Sequence, residues 1–197
     1  MELRLPTIEQ LRTVYDRDMC EAFPAAELKP LSDIERMWQD GWYTPWCLFD
    51  GDNIVGECFL WRGHSGWALL DYLCTSARYR NGGLGAVMLS KLAETEPDTV
   101  IFGEAEVPAH APDPAMAERR LAFYARNGLR LADYDTEMFG VHYKTLYLAK
   151  GEVDFRQLME EHRFVYENTF SADKFHKYVR IPFDSSMKPG AKVSWQQ

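Results

Sequence analysis

The segment RNGGLGA at positions 80–86 constrains this chain more than any other part of it. It follows an apolar run at positions 68–73 and leads directly into a helical pattern that begins at Leu84. This order predicts a strand, a short loop, a glycine turn and the start of a helix. Glycines allow successive backbone N–H groups to point into one concavity, and a helix N-terminus adds unpaired amides and the positive end of its dipole. The segment therefore predicts a phosphate-binding turn.

The rest of the pattern predicts an α/β fold with a mixed sheet. Thr7 with Gln10 and Ser32 with Glu35 have the spacing of a capping box, so each predicts the start of a helix. These two helical segments precede an apolar hairpin, whereas a Rossmann fold or a TIM barrel alternates strand and helix from its start. A further amphipathic helix follows Gly151, and a short strand is predicted after it. The predicted strands and helices from the hairpin onward cover positions 46–49, 54–61, 67–75, 84–96, 99–107, 115–127, 129–139, 141–149, 155–166 and 178–182.

Composition limits the classes of partner. The chain has 197 residues, which suits one domain with a modest appendage, and its net charge of −8 argues against a nucleic-acid partner. The four cysteines show neither CxxC nor zinc-site spacing, which favours reduced thiols and no metal. The first residues do not resemble a signal peptide, and no apolar run is long enough to span a bilayer. We therefore expect a cytoplasmic protein with no membrane partner.

Two common phosphate-binding motifs do not fit the glycine segment. A Walker A loop is excluded because no Gly-Lys-Ser/Thr follows the glycines. A dinucleotide fingerprint would begin with Gly83 and Gly85, but Met88 occupies its third glycine position. A nucleotide-dependent oxidoreductase is therefore disfavoured.

A third motif does fit, with the form Arg-x-x-Gly-x-Gly/Ala at Arg80, Gly83, Gly85 and Ala86. A second match lies further along the chain, where a Phe-Tyr pair precedes a glycine at positions 123–128. In these motifs the chain resembles the GNAT superfamily of N-acetyltransferases, over roughly residues 11–149. It departs from the family at Ala117, near the place where an asparagine often contacts the cofactor.

The resemblance implies a fold, a cofactor and a reaction. The fold is a mixed, mostly antiparallel central sheet flanked by helices, with residues 1–150 as the acetyltransferase domain. Residues 151–197 are then a C-terminal helical extension packed on the same domain. The cofactor is acetyl-CoA, and the acceptor is the primary amine of a small molecule or a peptide. The alternative is a non-catalytic module that binds acyl-CoA as a sensor or serves as an interaction platform.

The resemblance also implies which residues hold coenzyme A. The glycine turn is expected to bind the diphosphate, chiefly through backbone amides. Amides at the end of the preceding strand are expected to bind the pantetheine and thioester oxygens, where the sheet splays open. The expected cofactor-binding residues are Leu73, Cys74, Thr75, Arg80, Asn81, Gly82, Gly83, Leu84, Gly85 and Ala86.

Acetyl transfer from a thioester to an ammonium needs a base and an acid. Glu104 and Glu106 lie two apart in an apolar strand, so both face one side of the sheet, and the resemblance favours Glu104 as the base. Asp71 is a weaker alternative, and Tyr124 is the expected acid because a phenol stays protonated at neutral pH. Cys74 lies in an apolar strand, which favours an inert thiol and direct attack by the amine.

The sequence does not decide which residues form the acceptor site. Aromatic residues crowd the segment before the hairpin, where they form either a wall for a cationic amine, with Asp40 or Glu35 nearby, or ordinary core. The loop at 108–114 and the helix after Gly151 either close over the acceptor or form a homodimer contact. The aromatic residues in question are Trp38, Trp42, Tyr43 and Trp46.

Overall fold

The computed structural model describes residues 1–194, which form an α/β fold with one mixed, mostly antiparallel sheet. The last three residues of the predicted C-terminal extension, 195–197, lie outside the described part. In chain order the strands and helices are β1 (Glu2–Arg4), α1 (Ile8–Val14), a π-helical turn (Tyr15–Met19), α2 (Cys20–Ala22), α3 (Leu31–Gln39), β2 (Tyr43–Asp50), β3 (Asn53–Arg62), β4 (Trp67–Thr75), a 3₁₀ turn (Ala77–Tyr79), α4 (Leu84–Thr95), β5 (Val100–Glu106), a 3₁₀ turn (Pro108–His110), α5 (Pro114–Arg126), β6 (Arg130–Met138), β7 (Val141–Leu148), α6 (Phe155–Glu167), α7 (Ala172–Tyr178) and β8 (Val179–Phe183).

The eight strands follow the order β1-β2-β3-β4-β5-β7-β6-β8. Strands β4 and β5 pair in parallel, whereas β1–β2, β2–β3, β5–β7, β6–β7 and β6–β8 pair antiparallel. The described residues form two compact units, one of residues 1–62 and 70–97 and the other of residues 63–69 and 98–194. Strand β4 contributes residues to both units.

In the first unit, α4 packs on the hairpin strands. Leu84 and Met88 form a buried cluster with Leu48 of β2 and Val55 of β3. These two residues lie four apart, so they share one face of the helix. That packing fixes the start of α4 and with it the position of the glycine turn.

In the second unit, the beginning of β4 pairs with β5 from Trp67 opposite Val100 to Leu69 opposite Phe102. Strand β5 continues antiparallel to β7, and Glu104 lies opposite Thr145. Helix α6 buries one face, which carries His162 and Tyr166. The amphipathic helix predicted at 155–166 is confirmed with almost the same bounds.

The local sequence signals succeed where they concern a single turn. Thr7 caps α1, because its hydroxyl accepts from the Gln10 amide at 3.2 Å while the Gln10 side chain accepts from the Thr7 amide at 2.8 Å. The similar signal at Ser32 is wrong as a helix start. Helix α3 begins at Leu31, because the carbonyl of Pro30 already accepts from the amides of Asp33 and Ile34. The short elements β1 and α7 are not predicted by the pattern.

Candidate functional site

The predicted phosphate turn has the backbone that its glycines suggest. Gly83 stands at the N-cap of α4 with φ 76° and ψ 4°, and Asn81 also has a positive φ of 63°. A residue with a side chain is strained at such a φ, so glycine suits this position. A Cβ on Gly83 would meet no atom within 4 Å, so the space beside this residue is open. Residues 80–83 are all exposed.

Four amides of this turn are unpaired within residues 1–194. The amides of Arg80, Gly82 and Ala86 reach carbonyls of the same turn at 3.4, 3.4 and 3.1 Å. No protein acceptor meets the remaining four amides, and no side chain caps the helix. Four free N–H groups at a helix N-terminus fit a diphosphate, because they donate to its oxygens and add the helix dipole. These amides belong to Asn81, Gly83, Leu84 and Gly85.

Arg80 is exposed and forms an ion pair with Glu21 of α2 at 3.0 Å. Both side chains are about half exposed, and an exposed pair of this kind contributes at most about 1 kcal/mol. Arg80 can therefore exchange this partner for an anionic ligand at little cost.

The end of β4 belongs to the first unit, and its Cys74 has a carboxyl partner. The Cys74 thiol donates to Glu57 Oε2 at 3.1 Å, and burial raises the pKa of this thiol far above its ordinary range. Glu57 is fully buried, and burial, aided by the charge of Asp18, raises the pKa of its carboxyl to about 8. A protonated thiol beside a buried carboxyl is not a nucleophile at neutral pH.

Glu104, the expected base, sits in a network built by β6 and α6. Its Oε1 accepts from His162 Nε2 at 2.8 Å and from the Thr136 hydroxyl at 3.4 Å. Its Oε2 accepts from the Tyr166 hydroxyl at 2.9 Å. The other ring nitrogen of His162 lies 3.2 Å from the Tyr134 hydroxyl. The Glu104 side chain is 14% exposed, whereas His162 is completely buried.

The alternative carboxylates each have a cationic partner. Glu106 accepts from Arg120 at 3.0 Å. Both oxygens of Asp71 lie 2.8 Å from the Lys29 ammonium, and the Tyr43 hydroxyl also donates to Asp71. In each case the cationic partner would have to leave before the carboxylate could take a proton from an amine.

Tyr124, the expected acid, lies in the last turns of α5 and is half-buried. Its ring packs beside Phe123, with ring centroids 5.4 Å apart. Burial raises the pKa of the Tyr124 phenol, and the positive charge of Arg120 opposes this weakly. Because burial raises its pKa from that of an ordinary phenol, Tyr124 is protonated at neutral pH and can donate.

The aromatic residues before the hairpin, for which a wall and ordinary core were both open, lie in different surroundings. Tyr43 is buried in the core, and Trp46 donates to Glu96 at 2.9 Å. Trp42 is 40% exposed, and Glu35 pairs with Arg12 at 2.7 Å. The core interpretation therefore holds for Tyr43, whose hydroxyl nevertheless contacts Asp71.

Sequence reasoning missed the partners of Glu104. His162 and Tyr166 are four residues apart on the apolar face of α6, a position where polar groups need buried partners. That spacing was the available signal. It could not reveal which carboxylate meets them, because Glu104 is 58 residues away from His162 in the chain.

Among residues 1–194, no helix has both the length and the apolar character needed to cross a membrane. Comparison with curated proteins gives no significant match. The sequence model of the acetyltransferase (GNAT) family, by contrast, matches residues 8–128.

Three solved structures show the same fold. One, from Bacteroides thetaiotaomicron and assigned to the GNAT acetyltransferases, is 22% identical with a TM-score of 0.66, covering 83% of this chain and 95% of its own. The ribosomal-protein-S18-alanine N-acetyltransferase of Escherichia coli is 15% identical with a TM-score of 0.58, covering 77% and 95%. The spermidine N-acetyltransferase of Vibrio cholerae, solved with CoA and spermine, is 12% identical with a TM-score of 0.57, covering 74% and 93%. The family match spans more than half of the sequence and includes both motifs, so this chain belongs to the GNAT family of acetyltransferases.

Proposed function

We propose that this protein transfers an acetyl group from acetyl-CoA to a primary amine of a small molecule or a peptide, by direct attack of the amine. The observation that carries the proposal is the turn before α4, where four amides find no acceptor among residues 1–194. The structural relatives include one enzyme named for a polyamine and one named for a ribosomal-protein alanine. The proposal therefore includes both small-molecule amines and peptide amines as acceptors.

The glycine turn binds the diphosphate of coenzyme A through its free amides, and Arg80 adds a positive charge. The backbone amides at positions 73–75 bind the pantetheine and the thioester oxygen. When bound, acetyl-CoA supplies the acetyl group as an activated thioester. The binding residues in full are Leu73, Cys74, Thr75, Arg80, Asn81, Gly82, Gly83, Leu84, Gly85 and Ala86.

Glu104 removes the proton from the acceptor ammonium, either directly or through water. Its Oε1 accepts two hydrogen bonds and its Oε2 accepts one, so Oε2 keeps a lone pair for the proton. His162 and Tyr166 hold the carboxylate in one orientation, which a base requires. Both are positioning residues.

Tyr124 donates its phenolic proton to the sulfur that leaves. The raised pKa of Tyr124 keeps this proton in place until a thiolate develops. Cys74 takes no part as a nucleophile, because its thiol remains protonated and donates to Glu57.

Three broader expectations remain proposals. Residues 1–150 make up the acetyltransferase domain and residues 151–197 the added helical segment, which the contacts of His162 and Tyr166 with Glu104 support. A cytoplasmic location is supported by four cysteines that form no disulfide. Homodimer formation is tested by light scattering on the purified protein.

The proposal is tested by melting curves with acetyl-CoA, coenzyme A, NAD and ATP. A ligand at one hundred times its dissociation constant stabilises the fold by about 2.7 kcal/mol. Stabilisation by coenzyme A, followed by thiol release with amines, is the expected result. Stabilisation by NAD alone would overturn it.

Two variants separate an enzyme from a sensor. Glu104→Gln and Tyr124→Phe are expected to bind coenzyme A normally and to lose turnover about 100-fold or more. Coenzyme A binding with no thiol release from any amine would instead favour the acyl-CoA sensor.

A further inference from the structure

The first unit contains a buried ammonium group surrounded by a carboxylate and aromatic rings. The Lys29 Nζ lies 2.8 Å from both oxygens of Asp71, 4.3 Å from the ring centre of Trp61 and 5.4 Å from that of Tyr72. Tyr43 lies opposite Trp61 in the β2–β3 register and donates its hydroxyl to Asp71. Three neighbouring strands therefore line what we call the ammonium cage, defined by Tyr43, Trp61, Asp71 and Tyr72.

The cage has the composition of a site for an alkylammonium ion. Aromatic faces and a carboxylate around a cation are the usual means of recognising such ligands. The Lys29 side chain is 5% exposed and that of Asp71 is 8% exposed. A buried ion pair of this kind seldom stabilises a core more than well-packed apolar side chains would, because desolvation of the two charges offsets much of their attraction. The contribution of the Lys29–Asp71 pair to fold stability therefore does not explain its presence.

The segment that carries Lys29 has an irregular backbone. It connects α2 to α3 without a helix or strand of its own, and a turn at Pro24 shapes its backbone. The Tyr15 hydroxyl donates to the Lys29 carbonyl at 2.8 Å, and the Lys29 amide donates to the Tyr72 hydroxyl at 2.8 Å. Withdrawal of Lys29 breaks these two hydrogen bonds and its contacts with Asp71, none of which is a hydrogen bond between strands of the sheet.

The cage lies close to the backbone proposed to hold the thioester. Asp71 and Leu73 are two residues apart in β4, so they share one face at a spacing of about 7 Å. An acceptor anchored at Asp71 therefore extends along the strand that carries the proposed pantetheine-binding amides.

The cage suits a cation, because both oxygens of Asp71 accept hydrogen bonds from the ammonium that occupies it. A protonated amine has no lone pair and cannot attack. An ammonium in the cage is therefore an anchor, and the amine that reacts is a second group of the same molecule.

We propose that the ammonium cage binds the non-reacting ammonium of an aliphatic diamine acceptor, and that Lys29 occupies the cage until the acceptor displaces it. This proposal rests on the proposed acetyl transfer, of which it names the acceptor class. The Lys29 ammonium thus occupies the position that the non-reacting ammonium of the acceptor would take.

The first test follows Lys29 in the wild-type protein by NMR, without acetyl-CoA. Carbon-labelled lysine gives an ε-methylene signal for Lys29 that the Trp61 ring displaces, and Lys29→Met identifies it by its loss. The four-carbon diamine putrescine is expected to move this signal saturably to the position of the solvent-exposed lysines. The neutral analogue n-butanol is expected to leave it unchanged. The proposal would be overturned if the Lys29 signal stayed in place at putrescine concentrations that saturate turnover in a parallel assay with acetyl-CoA.

The second test uses variants that change the occupant. Lys29→Ala removes the competing ammonium, so putrescine and n-butylamine are expected to bind at least about tenfold tighter than to the wild type. Lys29→Met fills the cage with an apolar chain of similar length and is the matched control, with no such gain. Equal gains in both variants, or equal binding of n-butanol by Lys29→Ala, would show an ordinary cavity and overturn the proposal.

Kinetics with the holoenzyme separate this proposal from the proposed function. The KM of putrescine is expected to be at least about tenfold below that of n-butylamine, and Asp71→Asn is expected to remove the difference. Acetyl transfer with equal KM values for the two amines would contradict the cage and leave the acetyltransferase standing. Displacement of the Lys29 signal without any acetyl transfer would contradict the proposed reaction and leave the cage standing.

Discussion

His162 of α6 donates a hydrogen bond at 2.8 Å to Glu104 of β5, and this completely buried imidazole fixes the orientation of the carboxylate. The pair joins a helix outside the family-matched residues 8–128 to a strand inside them. The segment after the family match thus contributes to the surroundings of the expected base.

Replacing His162 tests whether it positions Glu104. His162→Phe keeps a buried aromatic ring and loses the hydrogen bond, which for a charged partner stabilises by about 1.5–3 kcal/mol. If that energy orients the base, kcat falls about 10- to 100-fold while the KM for acetyl-CoA stays unchanged. Steady-state kinetics measure both constants.

His162→Gln is the control for this prediction, because its amide can restore a donor near Glu104 Oε1. It is expected to recover most of the lost kcat. Equal losses in the Phe and Gln variants would indicate that His162 serves packing alone.

Glu57 is expected to make the fold less stable as the pH rises. Its pKa is raised from 4.5 to about 8, first by burial and also by the charge of Asp18, while the thiol of Cys74 and Arg17 oppose the shift. Below pH 4.5 the carboxyl is protonated in both states. Between 4.5 and 8 the folded protein keeps a proton that the unfolded chain has lost, so stability falls by about 1.4 kcal/mol per pH unit from this group.

Urea unfolding of Glu57→Gln measures this contribution. The variant is expected to be more stable than the wild type near pH 8 and to show a flatter dependence on pH between 5 and 8. Glu152→Gln, at an exposed position, is the matched control and is expected to follow the wild type. A Glu57→Gln curve parallel to the wild type would contradict the raised pKa.

Gly83 and Gly51 offer a matched pair for the phosphate turn. Both have a positive φ, of 76° and 60°, and a Cβ at either position would meet no atom within 4 Å. Alanine at each is therefore expected to cost about 1 kcal/mol of stability through backbone strain. Calorimetric titration is expected to show weaker coenzyme A binding for Gly83→Ala only. Equal affinity in both variants would place the diphosphate elsewhere.

Arg80 and Glu21 are expected to affect coenzyme A binding in opposite directions. Arg80→Ala removes a charge from the turn and should weaken binding about three- to tenfold. Glu21→Gln releases Arg80 from its 3.0 Å ion pair and should strengthen binding by a factor of about two. Both effects should shrink in high salt, which titrations at two ionic strengths would show. If Glu21→Gln bound coenzyme A more weakly than the wild type, the Arg80–Glu21 ion pair would instead be holding the turn in its binding conformation.

The local signals were sufficient for most of the fold. The capping box at Thr7, the hairpin turn before β3, the glycine turn before α4 and the amphipathic pattern of α6 each lie within a few residues, where backbone geometry and periodicity act directly. Ser32 failed as a helix start because Pro30 supplies the first carbonyl of α3. The edge strand β1 was missed because three residues show too little alternation to be read.

The sequence by itself determined the glycine turn and the family, because both depend on residue types at short spacing, and the family resemblance named Glu104 as the expected base. Only the tertiary structure decided what surrounds those groups. It brought His162 to Glu104 and Lys29 to Asp71 across 58 and 42 residues of chain. Such contacts follow from strand order and helix packing. These bring distant segments together, and the distance between two segments along the chain does not predict their distance in space.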